Sequence, residues 1–150
     1  MFEHDYNRYP ELTNTELQVL GFTSPHHQYT EDFFATVVKV HDGDTVTLRT
    51  VDRDFNFPLR LLSIIAPELN EEGGHESQEY LSNMILDKRV SIILDKNQRV
   101  GKYGRLLGKV ISGGMDMGEI MKINGKATPF DARKEGKIES FDKIMMESAI

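Results

Sequence analysis

The stretch DFFATVVKVHDGDTVTLRTV, residues 32–51, decides the fold. Apolar and polar residues alternate on either side of a short polar break, and β-branched side chains dominate both halves. This predicts two antiparallel strands, 33–40 and 45–51, joined by His41-Asp42-Gly43-Asp44. Asp-Gly between two alternating runs is by itself a hairpin signal. The turn is not an EF-hand loop, because its acidic spacing is wrong and no bidentate Glu follows at the twelfth position.

Downstream, residues 55–65 read as a third strand, with Pro58 marking an edge or a bulge. Its run Leu61-Leu62-Ser63-Ile64-Ile65 looks buried on both sides. After Gly73-Gly74, a helix over 76–86 places Tyr80, Leu81, Met84 and Ile85 on one face. Strands over 89–95 and 106–112 follow, and then the turn Ser112-Gly113-Gly114. A second helix is capped by Asp116, with Glu119 reaching back, and ends at Gly125. A last amphipathic helix starts near Ser140, with Phe141, Ile144 and Met145 on one face. The order is three strands, a helix, two strands and a helix. It predicts a mainly β fold with helices (α+β), a five-stranded Greek-key barrel of the OB type with two to three helices. The domain spans 33–130, followed by a helical tail over 131–150.

Residues 1–32 are polar and largely aperiodic. Thr13 and Glu16 have the form of a capping box, Leu17 and Leu20 share a face, and Gly21 can close the turn. One short helix makes no core. The segment is therefore an arm that packs on the domain or on a partner, and few core contacts are expected to be lost with it.

Composition narrows the function. At 150 residues, with 39% hydrophobic residues, one domain with its own core is expected. The chain has no cysteine, so disulfides and thiolate metal sites are excluded. A net charge of −6 argues against a strong general nucleic-acid binder, though a local basic cleft can sit on an acidic surface. No stretch reaches the roughly 18 apolar residues of a membrane span. The first residues carry neither a basic nor an apolar signal region, so a cytoplasmic protein or a virion component is expected. His4, His26, His27, His41 and His75 show no zinc-ligand spacing.

Four polar sites fall at strand ends or loops, where function concentrates. They are the turn Asp42-Gly43-Asp44-Thr45-Val46, Arg60 within Arg60-Leu61-Leu62, Pro67-Glu68, and Lys102-Tyr103-Gly104-Arg105. Singly, each has an ordinary reading: a hairpin, a snorkelling arginine, a solvated carboxylate and a basic turn. In this order and spacing, residues 35–127 resemble the staphylococcal nuclease (thermonuclease-like) family. Gly114-Met115-Asp116 and Gly125-Lys126-Ala127 resemble the ends of its second helix.

The resemblance implies a calcium-dependent nuclease acting on single-stranded DNA or RNA. Asp44 would be a carboxylate ligand of Ca²⁺, with Asp42 lending a further oxygen and Ala66 its backbone carbonyl. Glu68 would orient or deprotonate the attacking water. Arg60 and Arg105 would hold the phosphate and stabilise its developing charge. Lys102 and Tyr103 would lie beside the substrate. Two features depart from the family pattern. Where the family reads Asp-Thr-Pro-Glu, this chain has Ile65-Ala66-Pro67-Glu68, so a second carboxylate ligand is missing and Ca²⁺ binding is expected to be weak. The family's tyrosine-rich stretch after the second helix is replaced by Thr128-Pro129-Phe130. Asp44 and Glu68 against Arg60 and Arg105 could also balance as a salt-bridge cluster. The alternative is therefore an inactive OB module in a larger assembly such as a phage virion, binding a protein partner through the arm and tail.

Overall fold

A computed structural model describes residues 2–3, 11–18, 22–23, 26–101 and 104–130. In chain order the elements are β1 (Phe2–Glu3), α1 (Asn14–Gln18), β2 (Phe22–Thr23), β3 (Phe33–Asp42), β4 (Thr45–Arg49) and β5 (Phe57–Leu61). There follow β6 (Ile64–Ile65), α2 (Gly74–Ile85), β7 (Arg89–Leu94), β8 (Leu106–Ser112), β9 (Met115–Asp116), α3 (Met117–Ile123) and β10 (Thr128–Pro129).

The sheet runs β5-β4-β3-β7-β8-β9, and a parallel pairing of β5 with β8 closes it into a barrel. This is the expected OB-type architecture. Alternation sends Ala35, Val37, Val46, Leu48, Ile92 and Val110 inward, where Phe57 fills much of the centre. Each of these side chains larger than Ala35 contributes roughly 1.5–3 kcal/mol by leaving water. Leu81 and Ile85 of α2 and Met117 and Met121 of α3 are buried in the same core. Asp116 caps α3, accepting from the N–H groups of Gly118 and Glu119. Glu119 pairs with Lys122 instead of reaching back.

The third strand departs from expectation. It stops at Leu61, turns through Leu62 and Ser63, and resumes as the short β6, which pairs with β10. Ser63 takes a positive φ of 70°, and its carbonyl accepts from the Phe130 N–H.

The arm's capping box forms as read, with Thr13 N–H donating to Glu16 and Glu16 N–H to Thr13 Oγ1. Glu11, Leu12 and Tyr29 are buried, and Tyr29 belongs to the barrel core. Arg53 makes a two-pronged ion pair with Glu11 at 2.6 and 2.7 Å. Arg99 donates to the Tyr29 and Leu12 carbonyls and to Asn14 Oδ1. The segment packs on the domain, one of its two expected placements, with Tyr29 in the core and polar partners far apart in sequence binding it down. Leu17 is exposed. Leu20, Gly21, Lys102, Tyr103 and the tail helix near Ser140 lie outside the described residues.

Candidate active site

The site forms where the β3–β4 turn meets the ends of β5 and the start of β8. Register places it there. Thr45 pairs with Arg60 across β4 and β5, which sets Asp44 beside that arginine. The Leu61 N–H bonds to the Asp44 carbonyl at 2.8 Å and locks the junction. Parallel pairing of Leu59 with Leu106 brings Arg105 alongside from the next strand.

Gly43 is required by close approach. A Cβ there would lie 2.6 Å from the Ala66 Cβ, 3.0 Å from Ser77 and 3.1 Å from Met121. Its absence lets the Asp42–Asp44 turn press against Ala66. Gly104 takes a positive φ of 68° just before Arg105, and its carbonyl accepts from the Glu11 N–H, so the arm touches the loop that carries Arg105.

Asp44 is 6% exposed. Its Oδ2 accepts from the Ala66 N–H at 2.9 Å and lies 3.5 Å from Arg60 Nη2, while Oδ1 accepts from Thr45 Oγ1 at 3.0 Å. Arg60 is equally buried and does not snorkel. It donates to the Leu61 carbonyl at 2.8 Å, and its guanidinium lies 5.8 Å from the Phe130 ring centre.

Asp42 joins this cluster. Its Oδ1 accepts from the Asp44 N–H at 3.1 Å. Burial, the negative charge of Asp44 and a hydrogen bond between the two carboxyls push Asp42 up to about 7, against some relief from Arg60. Burial and the nearby Arg60 hold Arg105 below its ordinary value, opposed by Asp44 and Asp42. A guanidinium nonetheless remains charged at neutral pH. Near pH 7 the buried cluster therefore holds two cations against Asp44 and a half-protonated Asp42, a positive excess suited to a phosphate.

Glu68 stands apart. Its side chain is exposed and makes no ion pair or hydrogen bond among the described residues, while its N–H donates to Glu71 Oε1. The loop carrying it packs closely on the start of α2, since a Cβ on Gly74 would come within 1.9 Å of the Glu68 carbonyl. Of the expected cluster, Asp44, Arg60 and Arg105 come together, and Asp42 joins them. Ile65 is buried and brings no oxygen ligand from its side chain. Among the described residues no three His, Asp or Glu side chains converge as a metal cage. Phe130, known from sequence only as part of a departure from the family pattern, is the aromatic neighbour of Arg60.

Comparison with known proteins agrees with the geometry. A family profile described as staphylococcal nuclease homologue matches residues 58–148. It covers Arg60, Ala66, Glu68 and Arg105 but begins after Asp42 and Asp44, whose place in the site rests on the structure. Two curated relatives, described as uncharacterized endonucleases from Escherichia coli O157:H7 and Escherichia coli, are each 31% identical over 101 residues. The matched region is 67% of this chain and 63% of each relative, so the chain spans less than two thirds of their length.

Proposed function

The chain belongs to the staphylococcal nuclease homologues, and from that premise we propose that it is a phosphodiesterase that cleaves DNA or RNA with a weakly held divalent cation. The observation that carries this reading is the convergence of Arg60, Arg105, Asp44 and Asp42 at one end of the barrel. Arg60 and Asp44 are buried there while Asp42 and Arg105 are partly exposed, so the cluster meets solvent.

The donors fit a cation, though a sparse one. Two crowded carboxylates hold a proton near neutrality, and a divalent ion can take the place of that proton. Asp42, Asp44 and the Ala66 carbonyl would hold it, with water completing the six to eight oxygens that Ca²⁺ prefers. When bound, such an ion templates water and phosphate together.

The side chains have separable tasks. Arg60 and Arg105 bind the non-bridging phosphate oxygens and offset the charge that builds on them. Asp44 holds Arg60, and the Ala66 N–H and Thr45 hydroxyl fix that carboxylate in turn. Glu68, exposed on its loop, takes the proton of the attacking water once substrate closes the geometry. Lys102 and Tyr103 flank the substrate. The direct test is cleavage of single-stranded DNA with Ca²⁺ and with chelator, beside Glu68→Gln. Calcium-dependent cleavage lost in Glu68→Gln supports the reading, and cleavage unchanged in that variant overturns the role of Glu68.

The inactive module remains a second reading because both oxygens of Asp44 already have protein partners. A parent protein that cleaves no single-stranded DNA with Ca²⁺, Mg²⁺ or Mn²⁺ would establish it.

A further inference from the structure

The outward face of β3, β7 and β8 carries an arrangement that packing does not explain. Ala35 and Val37 point into the core, so Phe34 and Thr36 point out, and Phe34 is 62% exposed. It lies in a shallow groove of about 470 Å³ lined also by Arg89, Val90, Ser91, Ile111 and Gly113-Gly114. That size is in the range of small-ligand clefts. The Arg89 guanidinium sits 4.8 Å over the Phe34 ring.

Charge is concentrated on the same face. Thr36 pairs with Arg49 on one side and Arg89 on the other, and opposed residues of an antiparallel pair share a face. Lys39 opposite Thr47 and Lys109 opposite Ile93 add two more exposed cations. Asp32, at the rim, is engaged by the Leu94 N–H and lies 4.0 Å from Lys96. A cationic strip on a chain of net charge −6 is a local feature with a local use.

We propose that this face is a second nucleic-acid-binding surface, on which a single-stranded segment stacks a base against Phe34 while Arg49, Arg89 and Lys109 hold its phosphates. An exposed aromatic interleaved with arginines is the usual platform for single strands, because every base offers a π-face. A protein partner fits less well, since one exposed ring among cations lacks the apolar centre of a protein interface. The choice of occupant rests on the nuclease reading above, but the binding itself needs no cleavage. Phe34 and Asp42 lie eight residues apart along β3, roughly 26 Å at about 3.3 Å per residue. At about 3.4 Å per nucleotide this is on the order of eight nucleotides. The surface thus selects long strands over short ones.

The test measures fluorescence anisotropy of labelled single-stranded DNA with the full chain in chelator, using strands of about twenty and about four nucleotides. Phe34→Ala should weaken the long strand about tenfold and leave the short one unchanged, and Phe34→Tyr should restore binding. Arg49→Gln with Arg89→Gln should lower the salt slope for the long strand by about 1.4, from about 0.7 per phosphate. Equal melting temperatures would show that these exposed substitutions leave the fold intact. The proposal is overturned if Phe34→Ala binds the long strand as the parent does, if the parent does not bind it, or if the short strand weakens equally. Polyglutamate binding with the same dependence on Phe34 would assign the face to an acidic protein and overturn it as well. A parent that cleaves no DNA with any divalent ion sinks the nuclease reading alone, and Phe34-dependent binding would still stand.

Discussion

Two pairs of arginines sit in this barrel, three of the four buried and Arg105 partly so, and their surroundings differ. Arg53 is saturated by the protein. It grips both Glu11 oxygens, donates twice to the His27 carbonyl, and lies 4.5 and 4.4 Å from the Tyr29 and Phe57 ring centres. Arg99 beside it binds the backbone of the arm. Arg60 has one hydrogen bond, to a carbonyl, and a loose 3.5 Å approach to Asp44. The first pair holds the arm, with Arg53 paired to Glu11 and Arg99 bound to backbone carbonyls. The second sits beside carboxylates that crowd each other, and among the described residues Arg60 donates to one carbonyl. Burial of an arginine therefore says little about function until its donors are counted.

The largest expected effect breaks the saturated side. Glu11→Ala leaves Arg53 buried without its carboxylate, and removing one partner of a buried pair typically destabilises by about 3–5 kcal/mol. Urea unfolding would measure it, and deletion of residues 1–30 should abolish a cooperative transition. A truncated chain that unfolds with the parent midpoint would show that the arm is a passenger.

On the open side, Arg105→Ala should lower cleavage by roughly 100-fold to 1,000-fold, as loss of one donor aimed at transition-state charge does. Its unfolding midpoint should move far less than that of Glu11→Ala. Single-turnover rates and melts on the same preparations make the contrast direct. A collapse of the fold in Arg105→Ala would erase the distinction between the two pairs.

How far each pair was legible in the sequence follows from the same contrast. The strands at 33–42, 45–49, 89–94 and 106–112 announce themselves by alternation, and α3 by its Asp116 cap. Arg60 and Arg105 are visible because they belong to ordered short motifs. Arg53 reads only as a turn residue between Asp52 and Asp54, and its partner Glu11 lies 42 positions away in a polar stretch. Nothing local distinguishes that pair from solvated charge. The break at Ser63 is equally silent, since a non-glycine residue at positive φ is imposed by the pairing of β6 with β10. Asp42 was legible as a turn former and a spare ligand. Its crowding against Asp44 needed coordinates.

Ile65→Asp sharpens the comparison by completing the open side. The new carboxylate would replace a buried side chain opposite Thr128, one residue before Ala66, whose N–H binds Asp44. In chelator it should lower the melting temperature by several degrees, because a carboxylate replaces a buried apolar side chain. With Ca²⁺ the gain in melting temperature should exceed the parent's, since an ion that binds only the folded state stabilises it by mass action. Calorimetric titration showing no gain in affinity would mean that position 65 does not face the Asp42–Asp44 site.

The gentlest effect is a slope with pH. Asp42 titrates near 7 in the folded chain, against an ordinary value of 3.8. Between these limits the folded state keeps a proton that the unfolded chain has released, so stability from this group falls as pH rises from about 4 to about 7 and is level outside that window. The proton belongs to the Asp42–Asp44 pair as a unit. Asp52 does not mask it. Despite burial, hydrogen bonds from Tyr29 and Thr50 hold Asp52 below its ordinary value, so its stabilising contribution is lost only as pH falls further into the acid range. Asp42→Asn should flatten the slope. Saturating Ca²⁺ should do the same in the parent, because the ion takes the place of the proton and releases it on binding. The same replacement makes Ca²⁺ affinity rise toward pH 7. Melting temperatures of parent and Asp42→Asn at half-unit pH steps, with chelator and with Ca²⁺, supply all four curves. If parent and variant run parallel in chelator, the two carboxylates are not crowded, and the open side of the barrel loses the charge imbalance that marks it as a ligand site.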